Sequence, residues 1–274
     1  MRVALVQMQS TGDVSANLDA VVRYSRTAAG QGAELIVFPE ATMRAFTTGR
    51  LDTVAEPLDG PFASTVRKLA EELGVTVIVG MFTPADSVEV DGKTINRVHN
   101  TALLTGGGKH IGYRKIHCYD AFGFRESDTV CPGNELVTVK IGDLTVGLAI
   151  CYDVRFPEQF VALAENEGAE VIVLPTSWSD GPGKLQQWRV LTGARALDST
   201  CYVLAAGQAR PGGEESAGEN DGPTGIGHSA AIGPDGLRIV EAGYGEDIIY
   251  ADIDVATVVE TRRSIPVLGV ERSF

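Results

Sequence analysis

"GAELIVFPEAT" (Gly32–Thr42) and "GAEVIVLPTSW" (Gly168–Trp178) are nearly superimposable, and their reading decides the fold. In each, Gly-Ala-Glu leads into an apolar run that a proline cuts short. Each follows a helix-like stretch, Asn17–Gly30 and Glu158–Gly168, and each of those follows an apolar run, Val3–Met8 and Leu144–Ile150. The order apolar run, helix, Gly-Ala-Glu, apolar run, proline therefore occurs twice. It reads as two strand–helix–strand units. Glycine closes each helix, and proline, which cannot donate to a ladder, ends each second strand. The long period, used only twice, marks a pseudo-repeat inside one fold rather than a solenoid.

Further strands are expected at Thr76–Met81, Asn100–Thr105, Val137–Ile141, Cys201–Ala206, His228–Ile232, Leu237–Glu241 and Ile248–Asp252. Helices are expected at Phe62–Leu73, framed by Pro61 and Gly74, and at Lys184–Leu197 and Val255–Arg263. "VDGKT" (Val90–Thr94) reads as a hairpin turn, because Asp-Gly tolerates positive φ. No Pro/Ser-rich linker divides the chain, so residues 1–274 are expected to form one α/β domain with helices flanking β-branched sheets. Residues Gly207–Gly227 are rich in glycine and acid without apolar period. They read as a solvated loop, or alternatively as a mobile flap beside a pocket.

Composition narrows the partners. The 274 residues are 44% hydrophobic and carry a net charge of −13. A basic surface is needed to hold phosphates, so nucleic acid is disfavoured, and an anionic membrane surface likewise. The N-terminal "MRVALVQMQSTGD" turns polar too soon for a signal segment, and no apolar run approaches ~18 residues, so no transmembrane helix is expected. Cys118, Cys131, Cys151 and Cys201 have no disulfide-framework spacing, which points to a reducing cytoplasm. No C-x₂₋₄-C pair occurs, so His117, Cys118 and Cys131 are not expected to hold a metal. "LLTGGGKHIG" is a strand turn rather than a phosphate loop, because neither a helix nor K-[ST] follows its glycines.

Chemistry concentrates in "GDLTVGLAICYDVRFPEQF" (Gly142–Phe160). By strand alternation Leu144, Val146, Leu148 and Ile150 form a bulky face, and Thr145, Gly147, Ala149 and Cys151 a small one that allows close approach. Cys151 ends the small face, and carboxyl ends of strands are where crevices open. Two readings stand. Cys151 is a small core hydrophobe, or it is an exposed thiol whose pKa a nearby cation or helix N-terminus lowers. Its proton acceptor could be a carboxylate. Glu40 ends the second apolar run of the first unit, where burial would raise its pKa and suit it to general-base work; a surface carboxylate or helix cap is the alternative. Lys115 in "GYRKIHCYD" by itself reads as solvated. Arg155 reads as an ion-pair partner of Asp153 or Glu158, with a substrate carboxylate as the other option. Trp178 and Trp188 are pocket walls or core aromatics.

Taken in order, "FPEA" with Glu40, "YRKIH" with Lys115 and "CYDVRFPE" with Cys151 resemble the nitrilase, or carbon–nitrogen hydrolase, superfamily. "NTALL" at Asn100, "RES" at Arg125–Ser127 and "RRSIPV" near the end extend the resemblance over nearly the whole chain. It is strongest to the Nit-type amidases, which act on small carboxylated amides. The resemblance implies a four-layer α-β-β-α sandwich and a Glu-Lys-Cys triad with no cofactor. It makes Glu40 the general base, Lys115 the cationic stabiliser and Cys151 the nucleophile, with Glu126 a second carboxylate. The Tyr152 backbone N–H is the candidate oxyanion donor, and Trp178 and Arg155 are candidate substrate contacts. "SWSDGPGKLQQW" (Ser177–Trp188) departs from the aromatic–Gly–Pro–His–Trp pattern of that branch. The implied reaction is amide hydrolysis through a thioester by a homodimer or higher homo-oligomer, with the tail "LGVERSF" (Leu268–Phe274) as a partner contact. N-carbamoyl hydrolysis or nitrile hydrolysis on the same triad is the alternative within enzymes. A binding protein with a buried thiol is the alternative outside them.

Overall fold

The computed structural model describes every residue except Asp91, Phe122, Gly123 and residues 271–274. The chain runs through β1 (Arg2–Gln7), α1 (Val14–Gly30), β2 (Leu35–Val37), α2 (Pro61–Leu73), β3 (Thr76–Val90), β4 (Lys93–Gly106) and β5 (Lys109–Arg114). A short pair follows, β6 (Asp120–Ala121) and β7 (Phe124–Arg125). Then come β8 (Thr138–Ile141), β9 (Leu144–Leu148), α3 (Pro157–Glu165), β10 (Val171–Thr176), α4 (Lys184–Ser199) and β11 (Tyr202–Gly207). The chain closes with β12 (Ala230–Ile232), β13 (Arg238–Glu241), β14 (Asp247–Asp252) and α5 (Val255–Ser264).

The helices start and stop where their termini find partners. Asp13 caps α1, its carboxylate accepting from Ser15 N at 2.9 Å and Ala16 N at 3.2 Å. Pro61 opens α2 and Gly74, at φ 67°, closes it, as the sequence indicates.

Two six-stranded sheets form, ordered β14-β1-β2-β3-β4-β5 and β13-β12-β11-β10-β9-β8. Read from its own edge strand, each sheet repeats one pattern. Three parallel strands (β1, β2, β3 or β9, β10, β11) are joined through helices, and two antiparallel strands continue from the third. The pseudo-repeat in the sequence is this shared topology. Its edge strands differ in origin: β14 pairs with β1 in the first sheet, β8 with β9 in the second.

Alternation along the strands places the layers. Val3, Leu5, Leu35, Val37 and Ile78 of the first sheet meet Val146, Leu148, Val171, Val173 and Leu204 of the second in one buried cluster. The opposite faces bury Val6, Ile36, Phe38, Val77 and Val79 under α1 and α2, and Val203, Ala230 and Ile232 under α4. The result is the expected α-β-β-α sandwich. Each fully buried aliphatic side chain contributes about 1.5–3 kcal/mol, so a one-residue slip that turned these faces outward would be prohibitive. Gly147 shows why the small face of β9 is small. A Cβ there would sit 3.2 and 3.4 Å from the Leu163 methyls and 3.4 Å from Ala169 Cβ, so α3 could not pack as closely.

Three expectations need correction. The strand expected at Thr76–Met81 continues to Val90, and its partner begins at Lys93 rather than Asn100. Beyond the sandwich this hairpin joins half-buried Val88 to Ile95 and adds polar cross-strand pairs: Asp86–Arg97 at 2.7 Å, Ser87–Asn96 at 2.9 Å and Glu89–Thr94 at 2.5 Å. Val90 pairs with Lys93 across the turn, while Asp91 itself lies outside the described residues. The helix expected to reach Gly168 ends at Glu165. Residues 207–227 are buried at both ends and exposed mainly between Gly212 and Asp221, and they are no free loop. The fully buried Arg210 side chain gathers them, donating to Asp221 Oδ1 at 2.7 Å, Ser216 O at 3.0 Å and Glu219 O at 3.1 Å.

Candidate active site

Four side chains named from the sequence meet at the carboxyl ends of the parallel strands, between the sheets. Glu40 follows β2, Lys115 follows β5, Glu126 follows β7 and Cys151 follows β9. Each is at most 8% exposed.

Glu40 is delivered by a tight crossing. Its loop lies against β3 so closely that a Cβ at Gly80 would fall 2.5 Å from Pro39 O and 2.8 Å from Glu40 Cα. Only glycine leaves room. Ala41 then turns the chain with φ 57°. The Glu40 carboxylate accepts from Asn100 Nδ2 at 2.7 Å, Lys115 Nζ at 3.2 Å and Ser177 N at 2.8 Å. The last bond crosses from the second half of the molecule. Ser177 follows the very strand end that matches Glu40's own in the repeat, so the two proline-terminated ends face each other.

Lys115 extends the inward parity of β5. Ala102 pairs with Tyr113 on the core face, and the next step of that register sets Lys115 N on Asn100 O at 2.9 Å. Its ammonium also donates to Glu126 Oε1 at 2.8 Å and Oε2 at 3.0 Å. Burial works against this charge, but Glu40 and Glu126 outweigh it, and the lysine is held protonated well above its usual range. Glu126 Oε2 accepts in addition from Tyr119 N at 2.6 Å. Lys115 is thus no solvated lysine, and Glu40 no surface carboxylate.

Cys151 departs from alternation. The strand ends at Leu148, and Cys151 has φ 45°, in the left-handed region that β-strands never use. Simple parity would send the thiol toward α3. The turn instead brings it within electrostatic range of the Glu40 carboxylate and of Lys115. The expectation of a lowered thiol pKa is overturned. Burial and then the Glu40 charge push it well above its usual value, and Lys115 offsets only part of this. A protonated thiol beside a carboxylate is an arrangement for passing a proton at the moment of attack, not for storing a thiolate.

In the second half Arg155 lies between Tyr152, which follows Cys151, and Trp178, its guanidinium 5.8 Å from the Tyr152 ring centre. Arg155 makes no ion pair with Asp153 or Glu158, correcting the sequence expectation. Its guanidinium lies 4.9 Å from the Trp178 ring centre and donates to Gln187 Oε1 at 3.0 Å. Asp153 is drawn away by partners distant in sequence, Tyr113 and His117. Lys184 Nζ lies 5.9 Å from the same Trp178 ring. Trp188, fully buried with its indole N–H on His228 O at 2.9 Å, is core; Trp178 packs on it at 5.4 Å. A cavity of about 460 Å³ beside Leu58, Thr101 and Arg114 lies on the helix-side face of the first sheet, away from these groups.

Sequence reasoning missed the roles of Asn100, Ser177 and Asp153. Asn100 carried a signal: a polar residue in core-facing register with Ala102 and Leu104 asks for a buried partner. The Ser177 N–H carried none, since backbone direction is not written in residue type.

Comparison with known proteins agrees with the geometry. Hydrolase Rv0480c of Mycobacterium tuberculosis is 48% identical over 280 residues, covering 100% of this chain and 96% of that protein. Deaminated glutathione amidase of Escherichia coli O157:H7 is 33% identical over 277 residues, covering 99% and 97%. The crystal structure of Saccharomyces cerevisiae Nit3, described as a member of branch 10 of the nitrilase superfamily, superposes with a TM-score of 0.79 at 28% identity, covering 100% and 97%. The carbon-nitrogen hydrolase family profile matches residues 2–263, and the chain belongs to that family.

Proposed function

We propose that this enzyme hydrolyses a small primary amide, R–CO–NH₂, to a carboxylic acid and ammonia. The observation that carries the reading is the meeting of Glu40, Lys115 and the Cys151 thiol in one buried cluster. Glu40 takes the thiol proton as sulfur attacks the carbonyl carbon. The oxyanion is received by Lys115 and the Tyr152 N–H, donors in place before charge develops. The neighbouring Ile150 and Asp153 N–H groups are already committed, to Asp153 Oδ2 at 2.9 Å and Ile150 O at 3.0 Å, which favours Tyr152 for this role. Protonated Glu40 passes its proton to the amine, ammonia leaves and a thioester remains. Water gives a proton to Glu40, attacks the thioester and releases the acid, and the proton returns to sulfur. Glu126 anchors Lys115 and shares its charge. No step needs a metal or organic cofactor.

Arg155 and Trp178 are the proposed contacts for the far end of the substrate. Neither Arg155 nor Lys184 has a carboxylate partner among the described residues, so both are available to an anionic group. This favours an ω-amide of a small dicarboxylic acid or a deaminated-glutathione-type amide. Ammonia release across a panel of ω-amides, deaminated peptide amides, N-carbamoyl compounds and nitriles tests it. Release from acidic amides supports the reading, and turnover confined to nitriles or N-carbamoyl compounds contradicts it.

The protein is further proposed to act as a homo-oligomer. Val190 and Leu197 of α4, Leu237 just before β13 and Ile239 within it are exposed apolar residues, and Leu197 lies against Gly236. Sedimentation of Val190→Glu/Leu237→Glu against the parent chain tests that surface; the tail Leu268–Phe274 lies partly outside the described residues. Among the described residues no helix is long and apolar enough to cross a membrane, and four free cysteines suit the proposed cytoplasmic setting.

A further inference from the structure

The Asp153 carboxylate is completely buried and accepts four hydrogen bonds. Oδ2 receives Tyr113 OH at 2.7 Å and Ile150 N at 2.9 Å; Oδ1 receives His117 N at 2.9 Å and faces His117 Nδ1 at 2.9 Å. The spacing of these partners is informative. Asp153 stands two residues after Cys151. Tyr113 and His117 stand two residues before and two residues after Lys115. One carboxylate therefore brackets the lysine on both sides and holds the turn that carries the thiol. Cys151 belongs to the second half of the molecule, Lys115 to the first, so their separation depends on what crosses between halves.

The bracket is itself braced. Tyr113 is buried in the core between the sheets and accepts from Gln159 Nε2 of α3 at 2.8 Å. Burial, and then the Asp153 charge, push the Tyr113 hydroxyl well above its usual pKa, so it remains a donor. The His117 ring stacks on Phe156 with centroids 3.6 Å apart and planes at 7°. The Ile150 N–H is tied down immediately before the left-handed residue Cys151. A fully buried carboxylate is costly unless every lone pair is used, and here each use fixes backbone or side chain next to a reacting group.

We infer that Asp153 is a positioning residue, which through Tyr113, His117 and Ile150 sets the distance between the Cys151 thiol and the Lys115–Glu40 pair. Completely buried, it has no surface to offer a substrate. The inference rests on the reading of Cys151 as nucleophile. Displacement of a reacting group by about 1 Å costs on the order of 10²-fold in rate.

The test compares Asp153→Asn and Tyr113→Phe with the parent enzyme on its best amide, together with the rate of Cys151 labelling by iodoacetamide, circular dichroism and Cys151→Ala as control. The carboxamide introduced by Asp153→Asn would turn an N–H₂ toward at least one backbone N–H, so that variant is expected to lose about 10²-fold in kcat with KM changed less than about threefold. Its labelling rate is expected to change by about tenfold or more while the fold persists. Tyr113→Phe removes one of the four donors and is expected to lose about tenfold in kcat. Folded Asp153→Asn with kcat and labelling within about twofold of the parent overturns the inference. If Asp153→Asn does not fold, Tyr113→Phe decides: folded protein with unchanged kcat and labelling overturns it. Cys151→Ala keeps the two failures apart. Undiminished turnover in that variant sinks the nucleophile assignment itself, whereas loss there with normal Asp153→Asn and Tyr113→Phe sinks the positioning role alone.

Discussion

At the scale of single residues, the site is a balance of one cation against two carboxylates, with a neutral thiol beside them. Lys115 lies between Glu40 and Glu126, so removing it leaves two buried negative charges uncompensated. Lys115→Met is expected to lower stability by about 3–5 kcal/mol, read by urea unfolding. The Cys151 thiol responds to the two signs of charge in opposite senses. Glu40→Gln removes a charge that raises its pKa, so the midpoint of iodoacetamide alkylation against pH is expected to move down although turnover is lost. Lys115→Met removes the cation that offsets this rise, and the midpoint is expected to move up. Equal midpoints in the parent and both variants would show that the thiol does not feel this cluster.

At the scale of elements, close packing carries the function. Gly80 of β3 lets the Glu40 loop cross at contact distance, and its backbone also holds Met43 N at 3.0 Å. Gly80→Ala is expected to reduce kcat about 10²-fold by displacing Glu40, with KM little changed. A second junction joins α4 to β13. Glu241 accepts from Arg189 at 2.9 Å, lies 3.1 Å from Arg238 Nε and faces His228 Nδ1 at 2.8 Å. Burial would raise its pKa, but these partners outweigh burial and hold it below the usual value. A depressed folded pKa gives stability that is present above the unfolded value and lost as pH falls through the folded one. The melting temperature is expected to fall with acidification below about pH 4.3, and Glu241→Gln to flatten that part of the profile.

Much of this was legible in the chain. The repeat Gly-Ala-Glu, apolar run, proline announced β2 and β10, although Pro175 lies within β10, paired with Ala206, rather than ending it, and Gly168 lies beyond the end of α3. Of the β3–β4 hairpin the turn at Val90–Thr94 was legible, but the length of its arms was not, because Pro84 and the charged residues around it mask a strand that runs on through them. The turn at Cys151 was hidden for another reason. A glycine would have advertised positive φ, whereas cysteine adopts it here only because the surrounding bonds impose it. Arg155 was misassigned because Asp153 is its neighbour in sequence, and nothing local revealed that Tyr113 and His117 claim that carboxylate first.

At the scale of the whole molecule, the site exists only because two halves of like topology close on each other. The first half brings Glu40 and Lys115, the second Cys151 and the Ser177 N–H, and the segment between them Glu126. Buried cross-ties keep the halves in register. Gln208 Nε2 donates to Glu40 O at 2.8 Å, and Gln7 accepts from Ser229 N at 2.8 Å. Gln208→Ala leaves the side chains of the proposed triad in place yet is expected to lower kcat by about tenfold, measured as ammonia release, with the fold intact by circular dichroism.

The most direct measurement of the central claim is the intact and peptide mass of the enzyme quenched during turnover of its best amide. A transient increase equal to the acyl group, confined to the peptide containing Cys151 and absent in Cys151→Ala, is the expected result. Ammonia released at the parent rate by Cys151→Ala, with no acylated peptide at any quench time, would contradict it.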